Sequence, residues 1–466
     1  MADASNDAVF LTGSLMGHVM RMSLTASVGL LAIFAVDFVD MVFISMLGND
    51  ALAAAVGYAA TLLFFTNAIN IGLSIAAGSL VARSIGAGDR GKAGDYATSV
   101  VGFAVITGVV VPVGLLINRD AVLALFGAEG AVLDLAARYV SFILPSMAVM
   151  GIAMTAMAVL RAHGDARRSM MCTLYGGGVN AVLDPLLIFA FGLGLDGAAI
   201  ASVLARLTMA ALALAPAMRV HQGFARPSLA GIMANFAAIS AIALPAVLTN
   251  IATPVGNAIV TRQIAQFGTD AVAGMAVIGR LMPVAFAAIF ALSGAIGPII
   301  GQNFGAGRPD RVRGAFVAGV LFTGVYVLLV SALLFVLRAP IAALFDAQGQ
   351  TRALIYLFCG PLALLSFFNG LIFVANASFN NLGHPIYSTW VNWGRHSIGT
   401  WVPAVIGAQV MGAAGVLIGQ ALGGVVFGLI AWMMVQRLVR ASPAAAPTDA
   451  FAAQRREHVV TGRRGW

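Results

Sequence analysis

Charged residues are scarce in this sequence. Asp, Glu, Lys and Arg together make up 9% of the chain, whereas 60% of the residues are hydrophobic. In a soluble domain about a quarter of the residues are charged. Since so few charges cannot cover a surface that faces water, the composition excludes an ordinary soluble domain and predicts a protein embedded in lipid.

Cysteine and histidine are also scarce, with 2 and 6 copies in 466 residues. Cys172 and Cys359 lie within or at the edge of apolar runs in different halves, so the sequence gives no support for a disulfide framework. His163 and His384 have no second His, Cys or acid at the spacing of metal ligands. We therefore predict no metal centre at these histidines and no cofactor.

Long apolar runs are abundant. Residues 100–117 and 317–337 are two examples, and at about 1.5 Å per residue such runs match the hydrocarbon core of a bilayer. The pattern predicts about twelve transmembrane helices. They begin near Gly17, Ala51, Tyr96, Leu133, Met170, Ala198, Phe236, Ala271, Gly314, Ala353, Tyr387 and Gly412.

The net charge of +8 comes from short loops and not from a basic patch, so we do not expect nucleic-acid binding. Basic residues fill every second loop: Arg83, Arg90, Lys92, Arg161, Arg167, Arg168, Arg219, Arg226, Arg308, Arg311 and Arg313. The intervening loops carry Asp50, Glu129, Asp134, Asp196, Asp270 and Asp346. By the positive-inside rule, the first set faces the cytoplasm. We predict a multi-pass inner-membrane protein with both termini in the cytoplasm.

The chain repeats itself at an offset of about 219 residues. Gly86 in SIGAGDR corresponds to Gly305 in NFGAGRP, and Gly164 corresponds to Gly383 at the same offset. Six spans per repeat is an even number, so both copies enter the membrane from the same side and face each other. The predicted fold class is an all-α integral membrane protein, with two pseudo-symmetric six-helix bundles around a central cleft.

The domain boundaries follow from this repeat. The first lobe is predicted at residues 1–219 and the second at residues 235–440. A polar cytoplasmic linker, residues 220–234, joins the two lobes. The small, polar and basic tail, residues 441–466, is predicted to be disordered in the cytoplasm.

Ionisable residues inside spans are the first functional candidates, because a charge at bilayer depth costs a few kcal/mol. Asp37 and Asp40 are three residues apart and share one helix face, while Asn180 and Asp184 are four apart and share another. If the first and fifth helices line one bundle, Asp40, Asn180 and Asp184 converge on one proton or one sodium ion. The alternative is a structural interhelical hydrogen bond, or an ion pair with Arg206.

The repeat favours the functional interpretation of these acids. At a local offset of 220, Asn257 and Val260 stand where the first half has Asp37 and Asp40. The fold therefore does not require these acids. One lobe is predicted to handle the ion and the other lobe to have a different role.

The second half has basic residues in its spans, and none of those spans carries an embedded carboxylate. Arg262, Arg280, Arg395 and His396 are the basic positions. We expect Arg395 and His396, neighbours in the eleventh span, to find polar partners, and we interpret them as a structural pair in preference to transport chemistry.

Methionine and phenylalanine faces suit promiscuous apolar or cationic ligands, although packing against lipid explains them equally well. As candidates for the lining of a substrate cleft we select Met150, Met154, Phe286, Arg280 and Arg395.

Four segments together resemble MATE (multidrug and toxic compound extrusion) exporters over nearly the whole chain. They are VDMVFISMLG, VARSIGAGDRGKA, VNAVLDPLLIFAFGLGLDGAA and IGQNFGAGRPDRV, in this order. The resemblance implies two lobes that alternate between outward and inward states, and export of drug-like cations in exchange for protons or sodium.

The resemblance also assigns residues. It implies a cation site in the first lobe at Asp40, Asn180 and Asp184, with Ser202 as an additional oxygen. Tyr139 lies beside the same cavity in this resemblance and is a further candidate for the lining of the substrate cleft. Many members have a proline in the first helix, where this sequence has Thr25. Acids that some sodium-dependent members place in the seventh and tenth helices are absent here, which favours protons.

The leading hypothesis is therefore secondary efflux of organic cations or drug-like compounds by alternating access. The partners would be a small cationic or amphipathic substrate, H⁺ or Na⁺, and membrane lipid, and we expect a monomer. A flippase for a lipid-linked saccharide is the alternative, kept open by Arg262, Arg280 and Arg395. An enzyme is not expected, because no nucleophile motif or spaced His/Glu cluster is present.

Overall fold

A computed structural model describes residues 8–441 of the chain and shows them to be almost entirely helical, with no β-strand among them. Most of the predicted disordered tail, residues 442–466, lies outside the described residues, and so do residues 1–7. The predicted all-α class is confirmed.

Seventeen α-helices follow one another in the described chain. They are α1 (Leu15–Met46), α2 (Asp50–Gly86), α3 (Arg90–Ile117), α4 (Arg119–Leu125), α5 (Gly130–Ile143), α6 (Met147–Ala162), α7 (Ala166–Pro185), α8 (Gly194–Arg219), α9 (Leu229–Ala234), α10 (Phe236–Ala265), α11 (Thr269–Ala285), α12 (Ala287–Gly305), α13 (Pro309–Leu344), α14 (Gly349–Leu357), α15 (Ala363–Asn381), α16 (Ile386–His396) and α17 (Ile398–Ala441). Short 3₁₀ or π-helical turns lie at Val9–Leu11, Leu144–Ser146, Leu186–Ala190 and Phe358–Leu362.

Eleven segments of the described chain are long and apolar enough to cross a membrane. The last of them, Ile386–Arg440, has 55 residues, which is about twice the length that a bilayer requires. It is broken at Gly412, whose φ of 62° and ψ of −143° are not helical. The expected number of about twelve spans is met when this segment is counted as two.

The repeat is visible in the helix boundaries. α2 runs from 50 to 86, and α11 with α12 runs from 269 to 305, so both ends differ by 219. The turns also match: Gly88 and Gly307 have φ values of 79° and 65°, and Gly164 and Gly383 have 80° and 88°. A side chain would be strained in this left-handed region, so glycine is favoured at these turns in both copies of the repeat.

Local capping explains where several helices begin. Asp89 precedes α3, and its carboxylate accepts a hydrogen bond from the Lys92 amide at 2.8 Å. Asp165 precedes α7 and accepts one from the Arg168 amide at 3.1 Å. Each aspartate satisfies one of the free N–H groups of a first helical turn.

The described residues form two compact units. The first comprises Val28–Val247 together with residues 8–9, and the second comprises Phe10–Ser27 together with residues 248–441. The division falls inside α1 and inside α10, so each of these helices contributes to both units. The predicted lobes, residues 1–219 and 235–440, stay a prediction.

Each unit has its own apolar core. In the first unit one cluster surrounds Leu62, Val140 and Ile143 and a second surrounds Val81 and Leu160. In the second unit one cluster extends from Val260 and Ile264 to Phe358 and Leu417. Both cysteines are buried and free.

Candidate cation-binding site

The acids predicted on α1 and α7 lie together in the first unit. Asp40 is near the end of α1, and Asn180 and Asp184 are one turn apart near the end of α7. α7 stops at Pro185, and a π-helical turn, Leu186–Ala190, follows. A proline has no N–H to donate, so the regular helix ends directly after Asp184.

The Asn180 side-chain amide bridges the two carboxylates. Its Nδ2 donates to both Asp40 oxygens, at 3.2 and 3.3 Å, and to Asp184 Oδ2 at 2.7 Å. The Asp40 and Asp184 carboxyl groups are also within hydrogen-bonding reach of one another. The structure thus brings together three residues that are up to 144 positions apart in the sequence.

Asp184 is the most enclosed member of this group. Its side chain is 0% exposed, and Asn180 is 6% exposed. The second Asp184 oxygen, Oδ1, is buried and has no hydrogen-bond partner in the part of the chain that the structure describes. A buried acceptor without a partner is costly, and a cation could satisfy it.

Tyr139 and Ser202 adjoin the acids. Tyr139, on α5, is buried and shares a side-chain hydrogen bond with Ser202 on α8, and it interacts electrostatically with both Asp40 and Asp184. The two residues that the family resemblance adds therefore lie beside the acids. The hydroxyl and carboxylate oxygens together form a set that suits a proton or a hard cation such as Na⁺.

Arg206 does not neutralise the acids through an ion pair. Its Nη1 donates to Ser146 Oγ at 2.6 Å and to the Ile143 carbonyl at 3.4 Å. The salt bridges of the described chain do not join it to Asp40 or Asp184. The structural alternative of an Asp184–Arg206 ion pair is therefore not what the structure shows.

Asp37 is placed differently from the other predicted site residues. It is exposed and lies close enough to Asp40 for charge repulsion. Within residues 8–441 it has no hydrogen bond to Asp40, Asn180 or Asp184. It stands at the edge of the group and not within it.

The cleft candidates are scattered. Met150 and Met154 are half-buried on α6 of the first unit, and Arg280 is exposed on α11 of the second. Phe286 is a correction: it is 1% exposed and belongs to the core cluster of the second unit, between α11 and α12. Its position is that of a packing residue, with almost no surface for a ligand.

Arg395 and His396 end α16 in the second unit. His396 is 7% exposed, and its ring lies against Gly256, where a Cβ atom would be 2.2 Å from Nδ1. The predicted polar partners are absent: in the described chain neither side chain has a hydrogen bond or an ion pair with another residue. The interpretation of the two residues as a structural pair stays a prediction.

A family model described as MatE matches residues 26–186 and 245–405, more than half of the chain. The chain belongs to the MatE family. The two matches lie 219 residues apart at both ends, which is the offset of the internal repeat. MatE proteins are membrane transporters and not enzymes, and the resemblance read from the sequence is confirmed.

Proteins similar to this chain have names that describe transporters. The "FAD transporter" of Shewanella oneidensis is 27% identical over 436 residues, which are 90% of this chain and 94% of that protein. The "Multidrug export protein MepA" of Staphylococcus aureus is 24% identical over 338 residues, 71% and 73% of the two chains. A crystal structure of a variant of the Vibrio cholerae MATE transporter VcmN is 26% identical, covers 92% of this chain and 98% of its own, and has a TM-score of 0.87.

The sequence did not predict which residues lie near Arg395. Asn369 on α15 and Gly424 on α17 flank its side chain: a Cβ at Gly424 would lie 3.2 Å from Asn369 Oδ1 and 4.0 Å from Arg395 Nε. An asparagine and a glycine in apolar helices form no motif. Only tertiary packing identifies them as neighbours of a charge.

Proposed function

We propose that this protein is a secondary active exporter that moves organic cations or drug-like amphipathic molecules out of the cytoplasm in exchange for H⁺ or Na⁺. The observation that carries the proposal is the buried Asp40–Asn180–Asp184 group with its unpartnered Asp184 oxygen. The proposed place is the inner membrane, with both termini in the cytoplasm and a monomeric protein.

The chemistry of the group supports uptake of a single cation. Two carboxylates that share a buried site repel each other, so binding one proton or one Na⁺ relieves the repulsion. Arg206 donates its hydrogen bonds to Ser146 and the Ile143 carbonyl. The charge of the two carboxylates is therefore neutralised by the transported ion and not by this arginine. Tyr139, Ser202 and the outlying Asp37 are proposed to adjust the same site.

The driving force is sufficient for such an exchange. Each charge that moves down a membrane potential contributes about 2.3 kcal/mol per 100 mV. In the proposed cycle a periplasmic cation neutralises Asp40 and Asp184, and this change favours the state that releases substrate outward. The cation shifts the preference between the two states by the difference in its binding free energy to them.

The relatives' names support two substrate classes. MepA is named a multidrug export protein, which supports drug-like cations, with Met150 and Met154 as adaptable contacts. The S. oneidensis relative is named a FAD transporter, which supports a flavin dinucleotide as a second candidate. The unpaired Arg395 and His396 favour this second candidate, because phosphates are anionic. The saccharide flippase would use the same arginine, with the exposed Arg262 and Arg280.

Asp40→Asn tests the coupling role. In reconstituted vesicles we expect at least a tenfold loss of gradient-driven ethidium efflux, because the amide cannot exchange a proton or hold Na⁺ as a carboxylate does. Proton and sodium gradients are imposed separately, so the wild-type protein identifies its own driving ion.

The matched control is Asp134→Asn, which removes an exposed carboxylate on α5 of the same unit. It should retain wild-type efflux. Gradient-driven efflux by Asp40→Asn at the wild-type rate would refute the assignment of this site.

A further inference from the structure

The two units differ in charge, although they arise from one repeat. The described first unit contains eleven acidic and eleven basic residues, whereas the second contains three aspartates and eleven arginines. Those aspartates are peripheral: Asp270 and Asp310 lie in the first turns of α11 and α13, and Asp346 follows α13. The described interior of the second unit therefore has no carboxylate to balance a buried base.

Arg395 lies well inside a membrane span. It is nine residues into the segment that begins at Ile386, which is about 14 Å along a helix and thus close to the middle of a bilayer core. α16 ends one residue later, at His396, and Ser397 leaves helical geometry with φ −97° and ψ −95°. The pair is held at a helix break and not at a flexible end.

Four neutral groups from three helices lie around the pair. A Cβ atom on Gly424 of α17 would lie 4.0 Å from Arg395 Nε and 3.2 Å from Oδ1 of Asn369 on α15. Gly256 of α10 lies against the His396 ring, and the Thr400 hydroxyl donates to the Arg395 carbonyl at 2.8 Å. Across residues 8–441 the Arg395 side chain has neither a hydrogen bond nor an ion pair. Its five N–H donors therefore remain available for a ligand.

An uncompensated arginine in such a place is costly. A charge at bilayer depth without an opposite charge beside it is destabilising, and an arginine does not escape by losing its proton. Gly424 also keeps the space beside the guanidinium free of a side chain. Cost, geometry and the surplus of positive charge all indicate an anion as the missing partner.

We propose that Arg395, together with His396 and Asn369, binds the phosphate or carboxylate of an organic anion inside the second unit. The planar guanidinium can bind two oxygens of such a group at once, and the Asn369 amide can donate a further hydrogen bond. The phosphate of a lipid headgroup has the same chemistry as that of a soluble substrate. The inference rests on the proposed export function only in naming a substrate class, since anion binding needs no ion gradient.

The test uses two probes that differ by one phosphate: riboflavin and riboflavin 5′-phosphate. Flavin fluorescence is titrated with purified full-length protein in detergent, without a gradient. We expect the phosphorylated flavin to bind at least tenfold more tightly than riboflavin, and Arg395→Gln to remove this difference while leaving riboflavin binding unchanged. Arg395→Lys should retain part of the difference, because the charge remains and the two-oxygen contact is lost.

A second variant near the site and a control variant away from it complete the test. Gly424→Ala places a methyl group beside the guanidinium and should weaken binding of the phosphorylated flavin several-fold. Arg313→Gln removes an exposed arginine of the same unit and should leave both affinities unchanged. Thermal unfolding of every variant is measured first, and Arg395→Lys replaces Arg395→Gln as the decisive variant if the latter is not folded.

A competition arm separates the two sources of phosphate. Displacement of the flavin phosphate by short-chain phosphatidylglycerol, in wild type and not in Arg395→Gln, supports the site with a lipid headgroup as its ligand. Without displacement, an Arg395-dependent preference for the phosphorylated flavin supports a soluble anion. Equal binding of the two flavins, or wild-type discrimination in both Arg395 variants, overturns the proposal. Neither result depends on whether Asp40→Asn abolishes efflux.

Discussion

The two oxygens of Asp184 have different surroundings. One of its oxygens accepts a hydrogen bond from Asn180 at 2.7 Å, while the other is buried and has no partner in the described chain. A purely structural aspartate would be expected to satisfy both oxygens, since an unmet buried acceptor costs about 1–3 kcal/mol. The unmet oxygen is therefore the strongest single-residue support for the cation site.

Asp165 offers a pH test at the same scale, outside the membrane spans. Burial raises the pKa of Asp165. Hydrogen bonds from His221 at 3.1 Å and from the Arg168 backbone and guanidinium have the larger, opposite effect, so that the pKa falls to about 2. The carboxylate ordinarily titrates near 3.8. Its ionised form therefore stabilises the folded protein above about pH 4, and this contribution is lost as the pH falls towards 2.

Asp165→Asn should lower the free energy of unfolding by on the order of 1 kcal/mol at pH 7, where the wild-type carboxylate is charged. The difference between variant and wild type should shrink as the pH falls from 4 towards 2. Thermal unfolding in detergent across this range measures it. A difference that is constant with pH would show that capping alone, and not the carboxylate charge, explains the effect.

At the scale of helices, glycines allow the two halves of α17 to pack at backbone distance. On either side of the break at Gly412, Gly399 faces Gly423, Pro403 faces Gly419 and Gly407 faces Gly415. The four-residue spacing repeats on both sides, so each contact lies one helical turn from the next. Small residues at this spacing are typical of closely packed membrane helices.

Gly423→Ala should disrupt this hairpin. The new Cβ would lie 1.8 Å from the Gly399 carbonyl oxygen, and backbone atoms cannot move aside as a side chain could. We expect a loss of about 3 kcal/mol, the upper range for overpacking, seen as a lower unfolding temperature and a lower yield of folded protein.

Gly279→Ala is the matched control, because nothing lies within 4 Å of the added atom on α11. It should be neutral or raise stability by up to about 1 kcal/mol through helix propensity. If the two alanine variants unfold at the same temperature, close glycine packing is not what holds the hairpin.

At the scale of the whole molecule, the charge pattern predicts the orientation of the protein in the membrane. The loop before α3 is predicted in the cytoplasm and the loop before α5 in the periplasm. Cys172 and Cys359 are both buried, so they should not react with a thiol reagent. A single cysteine introduced in an exposed loop therefore shows on which side of the membrane that loop lies.

We expect Ala87→Cys to react with a membrane-impermeant maleimide only in inside-out vesicles, and Glu129→Cys only in right-side-out vesicles. Both positions are exposed, so access to the reagent depends on the side of the membrane. The wild-type chain should remain unlabelled in both preparations. The reverse labelling pattern would contradict the predicted cytoplasmic termini.

Sequence reasoning succeeded where a property is carried locally along the chain. Apolar runs of bilayer length gave the spans, whose predicted starts lie within a few residues of the observed helices. The repeated glycine turns gave the offset of 219, which Gly88 and Gly307 reproduce in their backbone angles. It also singled out Asp40 and Asp184, because acids are rare and costly inside spans, and their role in cation binding stays a prediction.

It failed where the outcome depends on neighbours from distant parts of the chain. Phe286 was expected to contact a ligand because it is aromatic, but in the structure it is surrounded by core residues. Arg395 and His396 were expected to have polar partners, which the structure does not provide. No local pattern reveals whether a side chain meets a carboxylate, an amide or nothing.

The sequence by itself determined that this protein spans a membrane, that it is made of two related halves, and that acids enter the spans of one half only. These properties follow from hydropathy and spacing, which are additive along the chain. Only the tertiary structure decided that one amide joins Asp40 to Asp184 and that Arg395 lacks a counter-charge. The physical reason is that the energy of a buried charge depends on the groups within a few ångströms of it, and folding brings those groups from remote helices.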